Sequence, residues 1–363
     1  MDDSSATANF NSRRRGFVIL FDFGVVGSGI AGLMFAQEAV NNGFSVGVVS
    51  SKKNSPASAA AVGMSAIKGV QDPRDPFFAS KIQGHDDFAH ILCDLQSTFS
   101  GQIWQMGVWE LFADKKSYQA ICERIYHRKW RGHKDVLTLK RKDLLASSLP
   151  AEAMHATESL GGLFYPRDYS FSPFQVLNAL KTSLKSRGVS FFDMDVHKVD
   201  ASEAFSLEGS LKVKHLVLAA GASTPQLLVN SGYEFNRDVL WKTTPGITYE
   251  TSWKGPQGAI KWGQSGLVAS GQILRFGSDD AEVGSPDSWC EKINNFYCIG
   301  VPPDSVQIHK GVRLRAQGRK PVVEAAYHEK KPPIWVLSGF HRNGYTLAVE
   351  ASKRLFNKII EYQ

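Results

Sequence analysis

The most restrictive feature of this chain is a glycine-rich turn near its start, with a strand on one side and a helix on the other. The apolar segment FDFGVV is followed by GSGIAG from Gly27 to Gly32, by a helical segment ending at Asn42-Gly43, and by the apolar segment FSVGVVS. Strand, glycine turn, helix and strand in this order are typical of a βαβ unit that binds a dinucleotide. The sequence therefore predicts an α/β fold whose chemistry belongs to a bound cofactor.

Each glycine of the turn has a separate predicted role. Gly27 permits the tight turn, Gly29 lets the backbone approach a pyrophosphate, and Gly32 lets the helix pack closely on the strand. Free N–H groups at the start of the helix would receive the phosphate charge. The candidate cofactor-binding residues here are Gly27, Ser28, Gly29, Ile30, Ala31 and Gly32. The alternative is a glycine turn that only packs backbone against backbone.

The acidic residue that usually accompanies this motif is missing. It would lie about 20 residues further on, where it holds a ribose hydroxyl. The second strand instead ends in Ser50-Ser51-Lys52-Lys53. The hydroxyls of Ser50 and Ser51 would have to take the ribose, whereas the lysines would suit a ribose phosphate. NADP therefore stays open at this segment.

A run of small residues, PASAAAVGM, extends from Pro56 to Met64. Small side chains let a backbone lie against a flat and bulky group, which weakens the NADP reading. Close packing of a helix on a strand is the alternative reading. The candidate cofactor contacts in this run are Ser58, Ala59, Ala60, Gly63 and Met64.

Four further segments, in the same order along the chain, resemble the D-amino acid oxidase and glycine oxidase family of FAD-dependent amine oxidoreductases. They are SAAAVGM at Ser58, with one extra residue, Val62; GGLFYPRDYSFSPFQVLNAL from Gly161 to Leu180, followed by a strand at Ser190 to Phe192; HLVLAAGAS from His215 to Ser223; and GVRLRAQGRKPVV at Gly311 with SGFHRNGYTLA at Ser338. Together they span nearly the whole chain.

This resemblance implies a Rossmann-like FAD-binding domain of the glutathione-reductase type, interleaved with a substrate domain built on a mainly antiparallel β-sheet. The expected FAD-binding domain is discontinuous and comprises residues 16–90, 155–230 and 311–363. The expected substrate domain comprises residues 91–154 and 231–310. Residues 1–15 are expected to form a flexible tail.

The resemblance also implies where FAD is bound. Val196 would lie on the adenine, and Ala220 and Gly221 would belong to the strand that returns beside the cofactor. Backbone N–H groups at the start of the last helix would stabilise charge on the flavin, together with the helix dipole. The residues in this turn are Arg342, Asn343, Gly344, Tyr345 and Thr346. The segment GVRLRAQGRKPVV contains no cysteine that could tether a flavin, so non-covalent FAD is expected.

Arg313 and Arg342 are the candidate catalytic residues. In the resembled family an arginine at the position of Arg313 holds the substrate carboxylate, and Arg342 matches a second arginine beside the site. A guanidinium suits this task because it is always charged and binds a carboxylate with fixed geometry. The implied reaction is hydride transfer from a small amine or amino acid to the flavin, giving an imine that hydrolyses. A structural ion pair is the alternative role for either arginine.

Two departures from the family pattern concern the substrate. A strand near the flavin carries tyrosine in a segment like YIVP in glycine oxidases, whereas the nearest match here is LVAS, Leu267 to Ser270. Ala222-Ser223 replaces a tryptophan after the third segment. An amine or amino acid is therefore a firmer expectation than glycine itself.

Composition agrees with a cytoplasmic protein without a metal centre. The apolar runs are too short to span a bilayer, and the longest, Phe17 to Val26, contains Asp22. The four cysteines, Cys93, Cys122, Cys290 and Cys298, show no CxxC spacing, and no histidine cluster joins them in a zinc pattern. Reduced thiols are expected. Homo-oligomer formation is left open.

A basic stretch, residues 123–142, contributes to the net charge of +7. Its sequence, ERIYHRKWRGHKDVLTLKRK, interleaves basic residues with Tyr126 and Trp130. A solvated face is the favoured reading, and RNA binding is the alternative. Flavin-dependent modification of an amine carried on tRNA therefore stays open. The missing acidic residue and tyrosine leave non-catalytic flavin binding open as well.

Overall fold

The computed structural model describes residues 20–51, 56–67, 78–112, 114–127, 132–140, 161–205, 209–254, 257–262, 265–278 and 305–362. The predicted tail, residues 1–15, and Lys52 and Lys53 lie outside these ranges.

Seventeen strands occur in the described ranges. They are β1 (Phe21–Val26), β2 (Val46–Ser50), β3 (Met64–Ser65), β4 (Trp104–Phe112), β5 (Leu137–Lys140), β6 (Gly161–Phe171), β7 (Ser190–Asp193), β8 (Lys198–Asp200), β9 (Glu203–Phe205), β10 (Ser210–Leu218), β11 (Trp241–Ser252), β12 (Gly258–Trp262), β13 (Ser265–Ser270), β14 (Ile273–Ser278), β15 (Gln307–Ala316), β16 (Val322–His328) and β17 (Lys331–Ser338). Six α-helices accompany them: α1 (Ile30–Asn41), α2 (Phe78–Ser97), α3 (Lys115–Cys122), α4 (Pro173–Ser186), α5 (Thr224–Ser231) and α6 (Gly344–Tyr362).

The first sheet is built around the predicted βαβ unit. Its strand order is β16-β17-β10-β1-β2-β7, and the β8–β9 hairpin is attached to β10. The pairings from β17 through β7 are parallel. Parallel neighbours require crossover connections, and α1 supplies the crossover between β1 and β2. The predicted strand–turn–helix–strand order is confirmed.

Both faces of this sheet are buried at its centre, which explains why β1, β2 and the last three residues of β10 are mainly apolar. Phe23 and Val25 of β1 face a core formed with helices α1, α2, α4 and α6. Phe21 and Val26 face a second core that includes Leu227 of α5 and Val199 of the hairpin.

The second sheet has the order β15-β11-β14-β13-β12-β4-β6-β3, with β5 paired to β6. All of its pairings are antiparallel except the one between β12 and β4. The chain passes between the two sheets several times, since β3 to β6 and β11 to β15 belong to the second and the remaining strands to the first. The predicted fold class, an α/β dinucleotide-binding part interleaved with a mainly antiparallel sheet, is confirmed.

The predicted domain ranges do not coincide with sheet membership everywhere. Strand β6, Gly161–Phe171, lies in the second sheet although its residues were assigned to the FAD-binding part, and β15 crosses the predicted boundary at residue 311. The division into domains stays a prediction.

Candidate functional site

Two glycines of the turn after β1, Gly27 and Gly32, have no room for a side chain. A Cβ on Gly27 would lie 2.3 Å from the carbonyl oxygen of Ala219, and Gly27 has a φ of +112°. A Cβ on Gly32 would lie 1.9 Å from the carbonyl oxygen of Gly27. The turn therefore holds the end of β10 and the start of α1 close together, as a cofactor motif of this type requires.

Helix α1 begins at Ile30 with an extended Gly29 at its N-cap, and no side chain caps it from that position. The backbone N–H of Ile30 donates to Oγ of Ser58 over 3.1 Å. An α-helix leaves its first N–H groups without partners inside the helix, and its dipole favours an anion there. The structure thus joins the first predicted motif to the second at Ser58.

The segment from Ser58 to Ala61 is anchored by four carbonyl groups in succession. Each accepts a hydrogen bond from a side chain outside the segment: Ser58 from Tyr345 (2.9 Å), Ala59 and Ala61 from Arg275 (3.2 and 2.9 Å), and Ala60 from Thr248 (2.6 Å). Ala59 and Ala60 are buried. The predicted cofactor segment is therefore held between α6 and the second sheet.

Val62, the extra residue of this segment, lies over two glycines of the second sheet. A Cβ on Gly277 would lie 2.9 Å from Cγ2 of Val62, and a Cβ on Gly266 would lie 3.6 Å from its Cγ1. Gly266 and Gly277 are direct partners across β13 and β14. This glycine pair makes room for the extra side chain, while Met64 packs beside it on Val108, Ala259 and Val268.

The turn before α6 approaches the start of α1. A Cβ on Gly344 would lie 3.3 Å from Cγ2 of Ile30. His341 has a φ of +52°, a left-handed conformation that is uncommon outside glycine. The N–H of His341 donates to the carbonyl oxygen of Leu314 (2.9 Å), and that of Asn343 donates to Phe340 (3.0 Å). These bonds place the turn beside β15.

A hydrogen bond joins His341 to Leu314, and the two candidate arginines are their neighbours in the chain: Arg342 follows His341, and Arg313 precedes Leu314. Arg313 is half-buried on β15, and its guanidinium lies over Gly246, where a Cβ would come within 2.2 Å of Nη2. Arg342 is exposed. Two residues before Arg313, Gly311 packs against the anchored segment, because its Cβ would lie 2.9 Å from Cβ of Ala60. The two candidate arginines therefore lie on elements that meet next to the predicted cofactor segment.

The third segment of the family resemblance, His215 to Ser223, also approaches the glycine turn. Ala219 and Ala220 touch Gly27, and Gly221, with a φ of +55°, begins the turn into α5. At the far end of β2, the carbonyl of Ser50 accepts a hydrogen bond from Met194 (3.2 Å). Val196 packs on the core that contains Val49 and Val199. Val196 follows β7 and therefore lies near the carboxyl ends of the parallel strands, the edge of the sheet at which the glycine turn also lies.

A buried histidine that the sequence did not single out connects three of these elements. His85 of α2 lies 2.8 Å from Oγ of Ser65 through Nδ1 and 2.9 Å from the carbonyl oxygen of Arg167 through Nε2. A carbonyl can only accept, so Nε2 carries the proton and Nδ1 accepts from Ser65. Ser65 in turn lies 3.3 Å from Oγ1 of Thr346, which therefore donates. Burial lowers the pKa of His85, an effect that the bond to Arg167 partly opposes.

The basic stretch is described only in part. Arg124 and Lys134 are exposed, Ile125 is buried, and Tyr126 donates its hydroxyl to the carbonyl of Val136. Residues 128–131 and 141–142 lie outside the described ranges. In the described part of the chain, no helix is long and apolar enough to cross a membrane, and no group of three His, Cys, Asp or Glu residues could hold a metal ion.

A family model described as DAO, FAD dependent oxidoreductase, matches residues 22–357. The chain is also similar to several solved structures. Glycine oxidase from Bacillus cereus is 17% identical, with 94% of this chain and 98% of that chain covered and a TM-score of 0.76. Iminodiacetate oxidase from Chelativorans sp. is 15% identical, with 93% and 95% covered and a TM-score of 0.73.

L-α-glycerophosphate oxidase from Mycoplasma pneumoniae, a structure with FAD bound, is 14% identical, with 95% and 96% covered and a TM-score of 0.73. No curated protein sequence matches this chain significantly. At these identities the structural likeness shows the fold, whereas the family match, which extends over most of the chain, also shows the cofactor.

Proposed function

Because this chain belongs to the DAO family of FAD-dependent oxidoreductases, we propose that it oxidises the carbon–nitrogen bond of a small amine or amino acid. The product would be an imine, which water hydrolyses to a carbonyl compound and ammonia or a smaller amine. The observation that carries this proposal is the meeting of the glycine turn, the anchored segment and the start of α6 around Ser58, with Arg313 on the strand packed against them.

The residues fit FAD in three respects. The turn has no room for a side chain at Gly27 or Gly32, the N-terminus of α1 faces a segment of small residues, and a second helix, α6, begins within contact of Ile30. The start of α1 would hold the pyrophosphate, Ser50 and Ser51 the ribose, and Val196 the adenine. Residues 58–64 and 342–346 would hold the flavin. When bound, FAD supplies the two-electron acceptor for the hydride.

Arg313 would orient the substrate by binding its carboxylate, which directs the carbon carrying the amine toward the flavin. Arg342 would contribute a second positive charge beside it. No side-chain base is required, because a neutral amine can lose hydride and leave its remaining proton to water after the imine forms. The main requirements are orientation and exclusion of water. The names of the solved relatives include two amine oxidases, glycine oxidase and iminodiacetate oxidase, and this favours an amine as the substrate.

The role of Arg313 is tested with paired substrates that differ only in the carboxylate, such as sarcosine and dimethylamine or whichever pair the protein accepts. We expect Arg313→Ala to lower kcat/KM for the carboxylate-bearing member by about 30-fold to 1,000-fold, which corresponds to losing one partner of a buried charge pair. The ratio between the two substrates should fall toward one.

Lys310→Ala is the matched control, since Lys310 is an exposed cation on the same strand with its side chain on the opposite face. It should leave kcat/KM within about twofold. An Arg313→Ala protein that retains the wild-type preference for the carboxylate would refute the assignment.

A further inference from the structure

Arg275 and Glu250 form an ion pair in the second sheet, and the proposed chemistry does not require this pair. Arg275 of β14 has a side chain that is only 3% exposed, and its Nε donates to Oε2 of Glu250 on β11. The two residues are direct neighbours across these strands. A fully buried arginine is rare unless its charge is paired and its donors are used.

The remaining contacts of Arg275 leave the sheet. Its Nη1 donates both to the carbonyl oxygen of Ala59 and to that of Ala61. One planar group thus binds one carboxylate and two carbonyls, which is a use of the fixed geometry of a guanidinium that an ammonium does not reproduce. The ion pair is therefore attached to the middle of the segment of small residues.

The side chains of residues 59–61 are too small to fix the conformation of this segment. Ala59, Ala60 and Ala61 can contribute only backbone groups and methyl groups, so the shape of the segment depends on what holds its carbonyls. Arg275 holds two of the four, and the other two are held by single hydroxyls, of Tyr345 and Thr248. A segment that is already ordered loses less conformational entropy when a ligand binds against it.

We propose that Arg275, kept in place by Glu250, is a positioning residue that fixes the backbone of residues 59–61 in the conformation that receives FAD. This proposal rests on the proposed placement of FAD against residues 58–64. The second sheet thereby contributes to FAD affinity. It does so through Arg275, which contacts residues 59–61 and not the substrate.

The test measures how tightly the full-length holoprotein retains FAD. The purified protein is diluted in steps, and the release of FAD is followed by the rise in free flavin fluorescence, at a temperature well below the melting temperature of each variant. We expect Arg275→Met to bind FAD about tenfold more weakly or worse, equivalent to about 1.4 kcal/mol. Arg275→Lys, which keeps the charge but not the fork, should lie between this variant and the wild type.

A double variant distinguishes a loss of FAD affinity from a general loss of stability at Arg275. Arg275→Met alone leaves the half-buried Glu250 carboxylate without its arginine partner, and this destabilises the fold. Arg275→Met with Glu250→Gln removes both charges. The double variant should recover melting temperature relative to Arg275→Met, yet it should still bind FAD about tenfold more weakly than the wild type.

Lys261→Met is the matched control. Lys261 forms a similar ion pair with buried Glu110 on the neighbouring strand of the same sheet, over 2.8 Å. Among the described residues, its hydrogen bond goes to this carboxylate and not to the backbone of residues 59–61. This variant should keep FAD affinity within about twofold of the wild type.

The results that would contradict the role of Arg275 differ from the result that would contradict the flavin site. Wild-type affinity for FAD in the double variant, or an equal loss in Lys261→Met, would overturn the positioning role of Arg275. A wild-type protein that binds no FAD would instead overturn the flavin site on which the proposal rests.

Discussion

At the scale of single residues, the glycine turn is where a sequence motif and its physical cause agree most closely. A Cβ on Gly27 would overlap the carbonyl oxygen of Ala219, so the position depends on the return of β10 beside β1. The motif predicted the tight turn at Gly27, which the structure has, because the positive φ of this position recurs in turns of this kind; its contact with FAD stays a prediction.

We expect Gly27→Ala to lose most of its FAD affinity, by about tenfold or more, because β10 or the start of α1 would have to move away. The measurement is FAD release from the holoprotein on dilution. Gly43→Ala is the control: Gly43 also has a positive φ, +82°, but nothing lies within 4 Å of the position of its Cβ. A Gly27→Ala protein that retained FAD as well as Gly43→Ala does would show that this turn does not hold the cofactor.

Other residues of the site could not be identified from the sequence. His85 lies in a helical stretch, FASKIQGHDDFAH, where nothing separates it from a surface histidine such as His90. Arg275 lies in a strand, ILRFGS, where a charge in an otherwise apolar segment is the only sign of a special role. Both side chains act on residues far away in the chain, so their partners become apparent only when the two sheets are assembled.

At the scale of elements, the hydrogen bonds of His85 join helix α2, strand β3, strand β6 and the start of α6. Close packing strengthens this junction, because a Cβ on Gly84 would lie 1.9 Å from the carbonyl oxygen of Thr346. The family resemblance implied a last helix that begins in this turn. It could not predict that a neutral histidine of another helix would be linked to its first turn through Ser65.

The lowered pKa of His85 makes this junction sensitive to pH. The unfolded chain begins to bind a proton at this residue below about pH 6.5, whereas the folded protein does so only at a lower pH. Stability should therefore fall as the pH drops from about 7 through 6.5 toward the folded pKa, by at most about 1.4 kcal/mol per pH unit for this group. His215 and His309, whose pKa values burial also lowers, should contribute in the same direction.

We expect His85→Gln to flatten this dependence. Urea unfolding of the wild type and the variant at several pH values between 5 and 7.5 measures the slope, and exposed His90 of the same helix supplies the control variant His90→Gln. The His85→Gln slope should be shallower than both others, with a residual part from His215 and His309. Equal slopes for all three proteins would contradict the placement of a neutral, buried His85.

At the scale of the whole molecule, the interleaved topology explains why residues from distant parts of the chain meet in one site. Each return of the chain to the first sheet adds one part of the cofactor region: the glycine turn after β1, the turn after β10 and the turn after β17. The glycine motif predicted the first of these turns, and the family resemblance implied the other two. They did not predict the contacts from the second sheet, which depend on strand pairings between segments without local signals.

Family membership makes the chain a FAD-dependent oxidoreductase, and the arrangement around Ser58 supports the placement of the flavin. Oxidation of a free amine or amino acid, the modification of an amine on tRNA, and non-catalytic flavin binding differ in what reduces the bound flavin. A single spectroscopic experiment therefore separates the first of these functions from the other two.

That experiment records the visible absorption spectrum of the purified holoprotein without oxygen, before and after addition of a pool of small amines and amino acids. We expect an oxidised flavin spectrum that bleaches when the pool is added, and fractionation of the pool then identifies the substrate. A flavin spectrum that persists with every member of the pool would contradict oxidation of a small amine.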